Sequence, residues 1–165
     1  MKGVNTGILC VLLLATVSSM LYTREELLEK MASPNYTVKN LSDDFITLGK
    51  SGFISVNTNL DDTFYWLFPA LNNPETAPLV LAFNGGPGST SMIGLFREIG
   101  PYLITTGSPQ QNPESWSTNF NMLYVDHPIG TGFSHGKVDD LPTNYRDIQE
   151  YFYSFFVEFL KIHPQ

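Results

Sequence analysis

The residues with the clearest capacity for chemistry form a glycine-rich segment at the end of a short apolar run. Leu79 to Phe83 is apolar, and Asn84-Gly85-Gly86-Pro87-Gly88 follows it; we call these five residues the glycine loop. Backbone N–H groups held at the end of a strand can stabilise the oxyanion of an acyl-transfer reaction. A phosphate is the competing ligand, but neither G-x-G-x-x-G nor G-x-x-x-x-G-K-[ST] occurs here. A turn without chemistry is the third interpretation. The pattern favours a site that receives an anion.

Other residue types that commonly act in catalysis do not form a catalytic pattern. Cys10 is the only cysteine and lies in a segment that we expect to be removed, which excludes thiol chemistry in the mature chain. The hydroxyls of Ser89-Thr90-Ser91 lie outside any G-x-S-x-G motif, so we interpret them as loop residues. His127 follows Asp126, but neighbours on an extended chain point to opposite sides and cannot act as a base and its orienting acid. We predict a structural role for His127 and a turn-fixing role at a strand end for Asp126.

The N-terminus has the pattern of a secretory signal peptide. Lys2 precedes an apolar stretch from Ile8 to Val17, and the small residues Ser18 and Ser19 follow. The stretch has about half of the roughly 20 apolar residues that a spanning helix needs, and a retained signal anchor is the alternative. We predict a signal peptide over residues 1–19, a mature chain over residues 20–165 and no membrane association after cleavage.

The composition and two sequence motifs agree with an exported globular protein. Hydrophobic residues make up 42% of the chain and aromatic residues 13%, which is enough for a packed core. The tripeptides that begin at Asn35 and Asn40 are predicted glycosylation sites. The net charge of −7 and the absence of a basic patch argue against nucleic acid or an anionic membrane surface as a partner. We predict a protein of the secretory pathway, either secreted or held in a lysosomal or vacuolar lumen.

The elements around the glycine loop predict an α/β fold. A capping box over residues 23–26 predicts a short surface helix. Residues 52–57 and 63–68 are β-branched and aromatic runs on either side of a turn-rich segment, which predicts an antiparallel hairpin. Residues 79–83 and 121–126 are unalternated apolar runs, typical of strands buried on both faces of a mostly parallel sheet.

A long amphipathic helix is predicted from Asn144 onward. Apolar residues recur there at i, i+3, i+4 and i+7, and Asn144 is suited to cap the first turn. We interpret its aromatic stripe as core packing rather than as a cofactor site. The chain ends directly after this helix, before the strand that a crossover helix delivers, so we expect an unfinished domain or a truncated gene model.

Several separated blocks of the sequence resemble the N-terminal portion of the serine carboxypeptidases, which are peptidases of the α/β-hydrolase fold. The resemblance runs from about Leu48 to the end of the chain, and the order and spacing of the blocks both fit. The matching blocks are residues 74–81, the glycine loop, residues 94–101, residues 112–116, residues 123–134 and the helix from Asp147 to Pro164. The resemblance implies that residues 20–165 are the N-terminal portion of such a domain.

The resemblance also implies roles for individual residues. The backbone N–H of Gly86 matches the oxyanion-hole donor, whereas Asn84 and Gly85 match groups that bind the terminal carboxylate of the substrate. Asn84 has an ordinary alternative role in closing an Asx turn. Glu98 matches a glutamic acid that takes part in carboxylate recognition and bonds to a second acidic residue. An acid that donates to a carboxylate must be protonated, so we expect substrate binding to favour acidic pH.

Two residues depart from the family pattern. Ala82 stands where the family usually has a tryptophan that assists carboxylate binding, and Ser89 stands where a disulfide cysteine is common.

Three functions are compatible with the sequence. The leading hypothesis is hydrolysis of C-terminal peptide bonds through an acyl-enzyme, with peptide or protein C-termini as substrates and no metal or other cofactor. The alternatives are an acyltransferase and an inactive binding homologue. The catalytic Ser, acid and His are expected beyond Gln165, so the chain alone is expected to be inactive.

Overall fold

The computed structural model describes residues 9–13, 49–105 and 109–164. Within them, seven strands, two α-helices and two short 3₁₀ turns alternate along the chain. The strands are β1 (Leu9–Leu13), β2 (Lys50–Ser55), β3 (Asp62–Phe68), β4 (Leu79–Asn84), β5 (Tyr102–Ile104), β6 (Pro109–Gln111) and β7 (Asn121–Val125); the helices are α1 (Met92–Arg97) and α2 (Tyr145–Ile162).

Five of these strands form one mixed sheet in the order β1-β4-β7-β3-β2. β2 and β3 pair antiparallel, with Phe53 opposite Phe64, and this pair is the predicted hairpin. β4 and β7 pair parallel, with Leu81 opposite Leu123, as the unalternated apolar runs predict. The α/β prediction, with an antiparallel hairpin leading into parallel strands, is therefore confirmed.

β1 pairs parallel with the other edge of β4, from Leu9 opposite Val80 to Leu13 opposite Asn84. This strand falls inside the segment whose sequence predicts a signal peptide, and the export of the chain remains a prediction. The predicted helix that starts at Thr23 lies outside the described residues.

α2 packs against one face of the sheet, and α1 packs against the other. The side-chain oxygen of Asn144 accepts hydrogen bonds from the backbone N–H groups of Arg146 and Asp147, which confirms the predicted cap. Phe155 and Phe159 are buried in one apolar cluster with Leu123 and Val125, and so the aromatic stripe is core packing. The second cluster, around α1, contains Leu95 and Tyr124. Side chains on opposite faces of β7 thus belong to two separate hydrophobic clusters.

A separate two-stranded antiparallel sheet, β5 with β6, follows α1. Its second strand is exposed along its length, which agrees with the absence of an apolar strand signal there. Of the helices in the described ranges, none has the length and apolarity needed to cross a membrane.

Candidate active site

The glycine loop leaves the carboxyl end of β4 and leads into α1. Gly85 is buried, whereas Gly86 and Pro87 are exposed, so the loop turns its middle outward. Gly86 has φ 133° and Gly88 has φ 111°, a region that residues with a Cβ rarely adopt. The two glycines are therefore required by the course of the backbone, and they leave a main-chain segment open to an incoming group.

Asn84 ends β4 with its side chain directed at α1 rather than into the loop. It is 5% exposed, and its Oδ1 accepts a hydrogen bond from the Gly94 N–H at 3.0 Å. The alternative role of closing an Asx turn does not describe this bond, which reaches ten residues along the chain. The Nδ2 of Asn84 is buried and has no hydrogen-bond partner among the described residues. A buried amide donor is thus left unsatisfied, which is uncommon in folded proteins.

Glu98 caps the C-terminal end of α1, beside the same glycine. Its Oε2 is buried and, like Asn84 Nδ2, has no partner within the described ranges. A Cβ built on Gly94 would lie 3.0 Å from Asn84 Oδ1 and 3.9 Å from Glu98 Oε2. The absence of that Cβ lets the two polar side chains approach the same small region. Arg97 is exposed whereas Glu98 is half-buried, so the two residues are not an ordinary pair of surface charges.

A network of hydrogen bonds fixes the exit of the glycine loop to the end of β7. Ser91 Oγ donates to the Val125 carbonyl and accepts from the Asn84 N–H at 3.2 Å. Asp126 Oδ1 accepts from the Ser91 N–H at 2.7 Å and from Thr90 Oγ1 at 2.8 Å. Burial raises the pKa of Asp126, and its hydrogen bonds oppose that rise. The turn-fixing role predicted for Asp126 is confirmed, but the sequence did not reveal that Ser91 and Thr90 are its partners.

His127 points away from Asp126, as predicted for neighbours on an extended strand. Its ring contacts Phe83 and Phe152, with centroid distances of 6.2 and 5.6 Å. Neither ring nitrogen makes a hydrogen bond of normal geometry with the described residues. Burial lowers the pKa of His127 to about 4, opposed in part by the Ile148 backbone. The imidazole is a neutral packing group near neutral pH, which agrees with the structural role predicted for it.

The structure brings together some of the predicted site residues. Asn84, Gly85 and Gly86 are contiguous, and Glu98 joins Asn84 at Gly94. The predicted glycosylation sites Asn35 and Asn40 lie outside the described residues. A cleft of about 190 Å³ lies elsewhere, between the end of β3 and the β5–β6 hairpin, and none of the predicted site residues lines it. The candidate site thus lies outside that cleft, at the carboxyl end of β4, with Asn84 buried and Gly86 exposed.

Two residues that support the candidate site, Gly94 and Ser91, were given no role in it by the sequence analysis. Gly94 supplies an N–H to Asn84 and leaves space for Glu98. Ser91 is 1% exposed and joins the strand before the glycine loop to β7. A small residue and a hydroxyl at the start of a short helix were the available signals, but each is common in ordinary loops.

Comparison with known proteins gives one family. A family model described as serine carboxypeptidase matches residues 43–165. Carboxypeptidase S1 of Penicillium janthinellum is 50% identical over 91 residues, which cover 54% of this chain and 21% of that protein. Venom serine carboxypeptidase of Apis mellifera is 41% identical over 118 residues, covering 70% of this chain and 25% of the relative.

A solved structure agrees with the sequence matches. Kex1, a prohormone-processing carboxypeptidase from Saccharomyces cerevisiae, aligns with a TM-score of 0.64 and 28% identity, over 70% of this chain and 28% of that one. The mixed sheet described above is the N-terminal part of the same α/β-hydrolase fold. The chain spans between a fifth and a third of the length of these relatives.

Proposed function

Because the chain belongs to the serine carboxypeptidase family, we propose that the whole protein hydrolyses C-terminal peptide bonds through an acyl-enzyme intermediate. Residues of this chain receive the two oxygen-bearing groups of the substrate, which are its terminal carboxylate and the carbonyl under attack. Peptides or proteins with a free C-terminus are the substrates. The chemistry needs no metal or other cofactor, because the serine supplies the nucleophile.

The observation that carries this proposal is a pair of buried polar atoms without hydrogen-bond partners among the described residues, Asn84 Nδ2 and Glu98 Oε2, on two side chains that both approach Gly94. A buried polar group without a partner costs free energy, about 1–3 kcal/mol for an uncharged group, and is therefore unusual unless a ligand completes it. Asn84 Nδ2 offers one N–H donor, and the Glu98 carboxyl offers a second donor when it is protonated. Two donors on neighbouring side chains suit the two oxygens of a carboxylate.

The glycine loop provides the second half of the binding chemistry. Gly86 is exposed, its φ excludes a side chain that would shield the main chain, and it follows Asn84 by two residues. A substrate whose carboxylate lies at Asn84 and Glu98 would have the preceding carbonyl close to this N–H. Loss of one oxyanion donor typically lowers kcat by about 10²–10³-fold.

The nucleophile and its base belong to another part of the protein in this proposal. Ser91 is buried and bonded to Asn84 and Val125, and Asp126 accepts from three groups that are neither a histidine nor a nucleophile. His127 is held among aromatic rings. We therefore expect a fluorophosphonate probe to label the whole protein and not the isolated 165-residue chain. Labelling of the isolated chain would contradict this division of roles.

We also propose that the protein enters the secretory pathway. The predicted signal peptide supports this location, and one of the relatives is named for its presence in venom. Export can be tested by expressing the protein in cells and measuring whether residues 1–19 are absent from the product and whether glycosidase treatment reduces its mass.

The experiment that tests the proposed function compares a blocked peptide with a free C-terminal carboxylate and the same peptide as its amide. We expect the whole protein to hydrolyse the free acid with at least tenfold higher kcat/KM. Asn84→Ala should lower kcat/KM for the free acid by about 10- to 100-fold and leave the amide almost unchanged. Asn72→Ala is the matched control, since its exposed amide bonds to the side chain of Asn119. Equal losses on both substrates would contradict the carboxylate role.

Glu98 is tested in the same comparison. If its side chain donates to the substrate carboxylate, Glu98→Ala should raise KM for the free acid and leave the amide almost unchanged. Glu98→Gln keeps an N–H donor and should retain most of the binding. Equal KM values for the free acid in the two variants would exclude this role for Glu98.

A further inference from the structure

The glycine loop is anchored at its exit by a carboxylate that does not face the candidate site. The Asp126 side chain is fully buried at the end of β7, between two chain segments. On one side its Oδ1 accepts from Ser91 N–H and Thr90 Oγ1. These are the residues that immediately precede α1, so the carboxylate fixes the point at which the loop returns to regular structure.

On its other side the same carboxylate holds the turn that follows β7. Asp126 Oδ2 accepts from the Phe133 N–H at 2.9 Å. Gly132, with φ 55°, passes so close that an added Cβ would lie 2.1 Å from Oδ2 and 2.7 Å from Thr90 Oγ1. The backbone there passes so close to the carboxylate that a side chain would collide with it. Three donors from two segments thus converge on one buried group.

The entry of the glycine loop is held to the same strand end. Asn84 N–H donates to Ser91 Oγ, which in turn donates to the Val125 carbonyl. The two ends of the segment from Asn84 to Ser91 are therefore tied to Val125, the last residue of β7, and to Asp126, which follows it. Gly86 lies exposed between these two ties. Charged acceptors make stronger hydrogen bonds than neutral ones, which makes Asp126 the strongest of these ties.

We propose that Asp126 is a positioning residue for the oxyanion-binding backbone: its carboxylate clamps Thr90 and Ser91 to the turn at Phe133 and thereby sets where the Gly86 N–H points. The proposal rests on the proposed function for its consequence in catalysis, but the clamp itself is a property of this chain. Misplacement of a reacting group by about 1 Å can cost about 10²-fold in rate, so a loosened clamp lowers kcat although Asp126 touches no substrate.

Hydrogen exchange of the whole protein tests the clamp without any enzymatic assay. Asp126→Ala should raise the exchange rates of amides in residues 85–91 at least tenfold relative to those in β2, β3 and α2. Ser134→Ala is the matched control. Its hydroxyl donates to the Asp126 carbonyl and accepts from the Phe64 N–H, and so it stabilises the same turn without touching the carboxylate. It should raise exchange in β3 and the turn rather than in the glycine loop.

Thr90→Val keeps the test decisive if Asp126→Ala does not fold. The change removes the donor to Oδ1 and the acceptor of the Met92 N–H at a half-buried site, and it preserves the shape of the side chain. It should produce a smaller rise in exchange, confined to the same loop. A uniform rise in exchange rates over all elements would mean that Asp126 contributes only to general stability, and it would overturn the proposal. Unchanged exchange rates in the glycine loop would also overturn it.

Kinetics of the whole protein test the consequence. Thr90→Val and Asp126→Ala should lower kcat, by up to about 10²-fold for the second, with a smaller change in KM; Ser134→Ala should leave kcat within about twofold. A loss confined to KM, or an equal loss of kcat in the control, would contradict a positioning role. If the wild-type protein hydrolyses no peptide at all, the proposed function fails, while the exchange measurement still decides whether Asp126 clamps the loop.

Discussion

Replacing His127 with phenylalanine should make the protein less sensitive to acid. The imidazole lies between Phe83 and Phe152, and its nitrogens make no hydrogen bond of normal geometry with the described residues. Burial lowers its pKa to about 4, opposed in part by the Ile148 backbone. A phenylalanine ring would occupy the same aromatic surroundings without a titrating group. The variant therefore removes the proton-binding site while losing no hydrogen bond of normal geometry that the described residues make.

The direction and size of the effect follow from the two pKa values. In the unfolded chain His127 titrates near 6.5, above its folded value of about 4, so the unfolded state binds a proton first as pH falls. The stabilising contribution is complete above the unfolded pKa and is lost between about pH 6.5 and pH 4. From pH 7 to pH 5 the two titration curves give a loss of about 2 kcal/mol.

Urea unfolding of both proteins at pH 7 and pH 5, followed by tryptophan fluorescence, measures this quantity. Carboxyl groups that titrate in the same range are common to both proteins, so the difference between their pH dependences isolates His127. We expect the wild type to lose about 2 kcal/mol more than His127→Phe. His163→Phe is the comparison variant. Burial also lowers the pKa of His163, but its Nε2 lies 3.2 Å from the Tyr65 hydroxyl, and its contribution to the pH dependence should be smaller. A difference below about 0.5 kcal/mol at His127, or one of opposite sign, would refute the reasoning.

Three further changes test the fold around the site. Phe155→Ala should lower the free energy of unfolding by about 3–5 kcal/mol because the ring is fully buried, whereas Tyr153→Ala on the exposed face of α2 should change it by less than about 0.5 kcal/mol in the same urea titration. Asn144→Ala removes the acceptor for two N–H groups and should cost about 1 kcal/mol, measured by circular dichroism during thermal unfolding; no loss would exclude the cap. Gly132→Ala forces a methyl group toward Asp126 and should shift the amide resonance of Ser91 in NMR spectra, which an unstrained substitution would leave in place.

The sequence predicted those elements whose signals are local. The hairpin of β2 and β3, the buried strands β4 and β7 and the cap of α2 each follow from residues within one short window. The β5–β6 hairpin was not predicted, because Pro109–Gln111 is exposed and has no apolar pattern.

The geometry of the site depends on contacts that no local window contains. The Asn84 amide meets Gly94 ten residues later, and Ser91 meets Asp126 across 35 residues. The residue pattern could therefore identify the glycine loop as an anion site, but the separate roles of Asn84, Gly86 and Glu98 came only from a resemblance. The absence of hydrogen-bond partners for Asn84 Nδ2 and Glu98 Oε2 depends on how α1 packs against β4, which no single segment of the sequence determines.

Binding of a short peptide to the isotope-labelled 165-residue chain tests the central claim most directly. At pH 5, we expect a peptide with a free C-terminal carboxylate to shift the NMR amide signals of Gly85 and Gly86. We expect the corresponding C-terminal amide to bind at least tenfold more weakly and Asn84→Ala to abolish the difference. Equal binding of the two peptides, or shifts confined to residues away from the glycine loop and Glu98, would contradict a carboxylate-receiving site at the end of β4.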